Sequence, residues 1–574
     1  GTKIKQFIPY SSIGVDWLDG QVNKMEEENR TDNRFLSRSQ VFVNPLKDVE
    51  NHFLSAVFLW EMEQDTYDRV LLRGAKSGSL DIDDPASNPP VQYIRSVSGT
   101  DRRMGALGNF NYKYRDTYLA TVNLRADASS IFGENNRWAI FPSISFAWKM
   151  HKEPWLQNIS QVNMTKLRFS WGQSGNTRGN SLARFGLYDT QGQYLDKFVI
   201  EQTQVQLTNF QWETTSSWNA GLDMGFFKNR FTVTFDLYDA VTDNLLWRNY
   251  DIPYSSGYER LRFFNGGSIQ NQGWELFLNG VAIRKHNLTL GLKFNVSRNR
   301  NKFLSLPENF NTERSVNIGN GDYPRRVTIG QPVGSFYGFK YLGVYPGDED
   351  VYARHASGNI LTDLSGEPIP MTYKDEYVFQ GGDARYEDIN HDGKIDIHDV
   401  VFLGDGNPDF MGGFGMNLTW KAFKLSAQFH YRLGFDIVNE VALQTEGMNN
   451  RNNQSLAVLH RWRRQGQDEP GMLPRAYMNH PANNLGSDRY VEKGDYLRLN
   501  NLKLSYRLNQ QLLDRVGLRK AIFSISARKL YTFTNYTGQD PEVGQDASNP
   551  FWIGVDKART PPPRVFTLSI SLGI

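Results

Sequence analysis

Six oxygen-bearing residues recur through DINHDGKIDIHD, residues 388–399, at the intervals of a calcium-binding loop. Asp388, Asn390, Asp392, Lys394 through its carbonyl, Asp396 and Asp399 fall at positions 1, 3, 5, 7, 9 and 12, and Gly393 takes the sharp turn at position 6. Oxygen donors so spaced suit a hard divalent cation, calcium foremost, bound structurally to hold down a long loop. Asp399 stands where a longer Glu usually closes such a site, and no helical pattern flanks it, so the loop is EF-hand-like in its ligands only. A solvated Asx-rich turn is the competing reading.

No other chemistry stands out. The nine His are scattered without ligand spacing, no GxSxG elbow occurs, and GNGDYP (319–324) is not a phosphate loop, so an enzyme is the weaker class. With no Cys, disulfides, thiolate metal sites and a Cys nucleophile are excluded. Sixty-four basic against 62 acidic residues leave a net charge of +2 and no basic stripe, which argues against a nucleic-acid partner.

The elements that would position the acidic loop are strands. Immediately after it, Phe414, Met416, Leu418 and Trp420 alternate with Gly413, Gly415, Asn417 and Thr419. Beyond Lys421 and Ala422, Phe423, Leu425, Ala427, Phe429, Tyr431, Leu433 and Phe435 alternate with Lys424, Ser426, Gln428, His430 and Arg432. Side chains of a strand point alternately to its two faces, so this hairpin has one apolar and one polar surface. Further strands carry the same pattern at Gln40–Val49, Asn51–Met62, Phe110–Tyr114, Tyr118–Leu124, Ile144–Trp148 and Leu167–Trp171, paired strands carry it within Trp218–Leu237, Trp274–Val296 and Leu502–Tyr531, and the chain closes on Phe566 to Ile574. This predicts roughly sixteen strands, many of the ~10 residues or more that cross a bilayer when tilted.

Short charged turns alternate with long loops at 173–210, 248–269, 298–335, 346–410, 436–490 and 534–564. So many long loops count against a soluble domain but are ordinary in an outer-membrane barrel, where periplasmic turns are short and outer loops long. Aromatic residues bracket two of the short turns, Trp420 with Phe423 and Phe226 and Phe227 with Phe231, as an interfacial girdle does. There is no 18-residue apolar run, and alternate-residue patterning hides an apolar band from average hydropathy. The pattern keeps one character throughout, so residues 1–574 read as a single all-β, antiparallel transmembrane barrel portion. The long extracellular loop 346–410 carries the cation loop 388–399. Loop aromatics Trp247, Tyr254, Tyr258, Tyr345 and Tyr477 offer sugar-stacking rings but define no binding site.

GDARYEDINHDGKIDIHDVVFLGDGNPDFMGGFGMNLTWKAFKLSAQFHY (382–431) resembles the hallmark segment of SusC/RagA-type TonB-dependent outer-membrane transporters. NNRWAIFPSISFAWK (135–149), NGGSIQNQGWELFL (265–278), IGQPVGSFYGFKYLGVY (329–345), YVEKGDYLRLNNLKLSYRL (490–508) and PPPRVFTLSISLGI (561–574) extend the resemblance in the family's order. It implies the C-terminal part of a 22-stranded barrel, multi-pass in the Gram-negative outer membrane and surrounded by its lipid. The implied function is import of oligosaccharides or oligopeptides beneath a SusD-like surface lipoprotein lid, driven by TonB, ExbB and ExbD. The family's signal peptide, TonB box, plug and N-terminal barrel segment are expected on another segment or polypeptide. The alternatives are a calcium-stabilised structural or adhesive surface protein and a passive porin.

Overall fold

The computed structural model describes residues 2–8, 24–46, 49–74, 93–177, 184–195, 197–252, 254–258, 260–307, 319, 321–324, 326–478, 480–515, 517–544 and 549–573. Ile574, at the end of the closing strand, lies outside them. Two compact units are distinguished by their internal packing: residues 1–148, 168–218 and 241–267 form the first, and residues 149–167, 219–240 and 268–574 the second.

Sixteen strands of the described residues form the meander that the alternation predicts. In chain order they are β1 (Thr2–Ile8), β2 (Lys24–Val43), β3 (His52–Gly74), β4 (Tyr93–Tyr114), β5 (Tyr118–Ser129), β6 (Trp138–Trp148), β7 (Val162–Asn176), β8 (Glu213–Phe226), β9 (Phe231–Asp243), β10 (Ser268–Lys285), β11 (Leu288–Ser305), β12 (Phe410–Trp420), β13 (Phe423–Leu433), β14 (Tyr496–Arg507), β15 (Lys520–Thr534) and β16 (Val565–Gly573). Turn chemistry sets the register. At the β4–β5 hairpin Arg115 and Asp116 both take positive φ (51° and 49°), a primed turn whose twist matches that of the strands it joins.

In the first unit β1 to β6 pair in sequence order. Their polar faces carry a charge ladder: Glu61 on β3 meets Arg38 of β2 at 2.9 Å and also Arg125 of β5, which binds its own neighbour Asp127 at 2.7 Å. β2 to β4 run to 20–23 residues, longer than a bilayer requires, because these charged rows extend them beyond any apolar stretch. Beneath the loops Phe132, Phe210 and Trp212 form a small buried aromatic core, with Phe132 and Trp212 rings 4.5 Å apart.

In the second unit β10 to β16 are again sequential and antiparallel. The register places Phe414 opposite Phe429, Met416 opposite Ala427 and Leu418 opposite Leu425, so the apolar residues share a face as their alternation predicts. Phe414 and Phe429 stack with centroids 4.7 Å apart. Among the described residues no protein layer covers that face: Phe414 of β12 is 40%, Leu504 of β14 43% and Ile525 of β15 54% exposed. Such a surface belongs against hydrocarbon. Among the described residues no helix is long and apolar enough to cross a membrane.

The loops depart most from expectation. β11 continues to Ser305, into the predicted loop 298–335, because Arg298, Arg300 and Lys302 alternate with Asn299 and Asn301 in a polar strand without an apolar signature. The segments 346–410 and 436–490 are not structureless. Phe379, Ala384 and Ile395 of the first and Leu485 of the second, all at most 1% exposed, belong to one buried core with Phe339, which bridges to Ser487 in parallel.

Candidate functional site

This loop body holds the acidic loop in place. Ile395, inside the core, pairs with Tyr373 through the short strand Lys394–Ile395, while the Lys394 ammonium turns outward to Asp375 at 2.9 Å. Gly393 has φ +82°, and a Cβ there would lie 3.0 Å from the Ala353 methyl. Position 6 is therefore glycine for backbone and for space alike. We expect Gly393→Ala to destabilise the loop body by ~1–3 kcal/mol, the usual cost of a strained left-handed residue, read as a downward shift in its thermal transition.

The carboxylates are oriented by the backbone. Asp388 accepts the Gly393 N–H at 2.8 Å, and Asp392 accepts that of Lys394 at 2.9 Å. Asp396 accepts the His398 N–H at 2.7 Å, and Asp399 accepts from Ile389 at 2.8 Å and Asp396 at 2.9 Å. Burial pushes the Asp399 carboxyl up to about 6 against its two N–H bonds, and the charges of Asp388 and Asp396 add to the rise. Burial likewise raises Asp388. The loop thus gathers Asp388, Asp396 and Asp399 within electrostatic reach, while Asn390 and Asp392 face solvent. Among the described residues, no three acidic or histidine side chains converge as a formed metal cluster. The donor set nonetheless fits a hard cation: oxygen atoms only, one of them on a fully buried carboxylate among like charges.

Two polar networks were missed by sequence reasoning. The first centres on Asp383, fully buried, which accepts hydrogen bonds from the Tyr377 hydroxyl at 2.6 Å, Arg475 Nε at 2.7 Å, the Gln380 N–H at 2.9 Å and the Asn483 amide at 3.0 Å. Beside it Tyr377, Tyr477 and His480 form an aromatic cluster, with Tyr377 and His480 rings 4.3 Å apart. Of the five loop aromatics, Tyr477 joins this cluster and Tyr345 is buried in the core. The Tyr258 hydroxyl bonds Gln202, Trp247 bonds the Gly266 carbonyl, and the Tyr254 side chain lies outside the described residues.

The second lies on the polar face of the strands. His430, Arg498 and Thr532 occupy one row across β13, β14 and β15. Arg498, 1% exposed, donates to Thr532 Oγ1 at 2.8 Å and pairs with both Asp540 and Glu542 from the following loop. Neither network has a sequence signature, since apart from Tyr377 and Gln380 the partners lie 34 to 100 residues apart.

An antiparallel meander with a bare apolar face, a polar face and ordered loops at one end of its second-unit strands is that of a membrane β-barrel. Residues 16–519 match the family described as TonB dependent receptor-like, beta-barrel, and the chain belongs to it. It is thus an outer-membrane protein. TonB-dependent receptor P39 of Formosa agariphila is 29% identical over 589 residues, covering 96% of this chain and 54% of the relative. TonB-dependent receptor SusC of Bacteroides thetaiotaomicron is 27% identical over 489 residues, covering 81% and 43%. The chain spans about half the length of the curated relatives it matches. The RagAB peptide transporter structure shares the fold, with a TM-score of 0.76 and 21% identity over 96% of this chain and 56% of that one.

Proposed function

We propose that this chain supplies the barrel of an active outer-membrane importer of large nutrients, oligosaccharides or oligopeptides, working beneath a SusD-like surface lipoprotein and energised by TonB, ExbB and ExbD. The observation that carries the reading is the loop body: β10 to β14 condense their long connections into a cored layer at the ends away from the short turns. A passive pore has no need of such a surface, whereas a receptor that must present large cargo to a lid does. Detergent extraction of the native outer membrane should recover the chain with a surface lipoprotein and a glycan or peptide trapped between them. Recovery alone, with radiolabelled oligomer entering cells equally well without TonB, would overturn it.

The acidic loop is, on this reading, a structural cation site of the loop body. Asp388, Asn390, Asp392, the Lys394 carbonyl, Asp396 and Asp399 would hold calcium, which would supply counter-charge to the buried Asp399 and the acids around it. We expect a chelator to lower the thermal transition of the loop body, and added calcium to restore it. Asp388→Asn with Asp399→Asn should abolish that difference. A transition indifferent to chelator and calcium alike would remove the cation from the account.

A further inference from the structure

The apolar face of the second unit is not uniform. On it, Gly280 of β10, Leu292 of β11, Met416 of β12 and Ala427 of β13 stand in one cross-strand row. The next row is Leu278, Phe294, Phe414 and Phe429, three of them aromatic. Beside Gly280, where a Cβ would meet the Phe231 ring at 2.8 Å, this face opens into a hollow. It is a groove of about 850 Å³ lined chiefly by Phe231, Leu278, Leu292, Phe294, Met416 and Phe429, and it reaches the strand ends at Phe227 and Arg230. A bulge between Val281 and Ile283 shapes its lower edge, and Arg230 holds that bulge by donating to the carbonyls of Val281 at 2.6 Å and Ala282 at 2.7 Å.

The three turns at that end carry basic residues and no acid. The turns there read Phe227-Lys228-Asn229-Arg230, Arg284-Lys285-His286-Asn287 and Lys421-Ala422. Backbone bonds tie them together, Val281 N–H to the Arg230 carbonyl and Lys421 N–H to the Asn287 carbonyl, both at 2.9 Å. Lys285 pairs across from Leu288 and so lies on the apolar face, while the Lys421 ammonium sits 5.6 Å from the Trp420 ring centroid. A strand advances ~3.3 Å per residue, so the four or five residues from Leu292 to Leu288, or Gly280 to Lys285, span about the upper part of one acyl chain.

We propose that this groove seats one acyl chain of an anionic glycerophospholipid of the periplasmic leaflet, its phosphate held at the rim by Arg230, Lys285 and Lys421. A greasy slot alone would take any lipid tail. Three basic turns that carry no acid make the site selective, as juxtamembrane basic clusters are for anionic headgroups. The leaflet follows from the short turns, which face the periplasm in such barrels. The site is independent of what the transporter carries.

The test is native mass spectrometry of the full chain, extracted with whatever co-purifies and offered phosphatidylglycerol or phosphatidylcholine of identical acyl chains. Phosphatidylglycerol should be retained preferentially, and the preference should fall roughly fivefold for each basic residue lost in Lys285→Gln and Lys421→Gln. Leu292→Trp, which fills the groove and leaves the charges, should lose both lipids. Because a variant that misfolds is uninformative, the unmodified chain is also measured at rising ionic strength, where the preference should shrink as exposed charges are screened. Equal retention of the two lipids, a preference indifferent to salt and to both lysines, or displacement by lipopolysaccharide rather than phospholipid would overturn the proposal.

Discussion

Arg498→Met should release the segment that follows β15 from the polar face of the strands, at a cost of ~3–5 kcal/mol, the usual penalty when one partner of a buried ion pair is removed. The guanidinium is the cation on which both Asp540 and Glu542 converge, and its Thr532 bond fixes its reach. Removing it leaves two carboxylates, 11% and 28% exposed, facing each other without that cation. Amide exchange at Tyr536–Val543 should accelerate while the β13 and β14 amides stay protected. Asp540→Asn with Glu542→Gln in the Arg498→Met background should recover most of the loss; no recovery would mean that Arg498 acts by packing rather than by charge. Acid gives the same answer by another route. His430 at 3.6 Å and the Arg498 and Arg432 charges pull the Glu542 carboxyl down to about 2 from 4.5, against its burial. A carboxyl lowered in the folded state stabilises the fold above its ordinary value. The anchor should hold above about pH 4.5 and weaken progressively as pH falls towards 2.

What the sequence discloses of this molecule follows the range of the forces involved. Alternation is a local signal, so Phe414 to Trp420 and Phe423 to Leu433 declare their faces without any knowledge of the rest, and the observed register keeps every one of those assignments. Where the alternating residues are charged rather than apolar, the same strand is silent. Arg298 to Lys302 and the β2 stretch from Glu26 to Arg38 read as loop or as nothing, although cross-strand ion pairs such as Arg69 with Glu28 at 2.8 Å stabilise them as strand. The acidic loop is legible because its ligands are contiguous. The orientation of each carboxylate is not, because it depends on which N–H groups the turn presents and on Ile395 finding a core built from residues up to 90 positions away, at Leu485. Arg498 and Asp383 are invisible for the same reason: a buried charge is recognised by partners that only the fold assembles.

Asp383→Ala should produce the other large effect, ~3–5 kcal/mol against the loop body and little against the strands. The carboxylate is wholly buried and accepts from four groups, so its loss leaves the Tyr377 hydroxyl and the Gln380 N–H without this acceptor and the Arg475 guanidinium without its counter-ion, while Arg475 keeps its bonds to Tyr377 at 2.9 Å and Gln380 at 3.0 Å and the Asn483 amide keeps the Arg475 carbonyl at 3.2 Å. Each left unpaired costs a further ~1–3 kcal/mol unless water reaches it. Three separate chain segments meet at this one residue: the loop before the acidic loop, the Arg475–His480 stretch and the turn at Asn483, whose side-chain amide oxygen accepts the Ala384 N–H at 2.8 Å. The aromatic cluster of Tyr377, Tyr477 and His480 should therefore loosen with it, seen as loss of near-ultraviolet dichroism and new protease cuts between Asp348 and Arg475. The far-ultraviolet strand signal should be unchanged. Asp383→Asn keeps the shape and most of the acceptors but withdraws the charge, so it separates the two contributions: a loss close to that of alanine assigns the anchor to the Arg475 ion pair, and a small one assigns it to the neutral bonds. The same variants bear on the acidic loop. Ile395 and Asp383 belong to one body, so Asp383→Ala should also erase the calcium dependence proposed above for the thermal transition, whereas two independent modules would leave it intact.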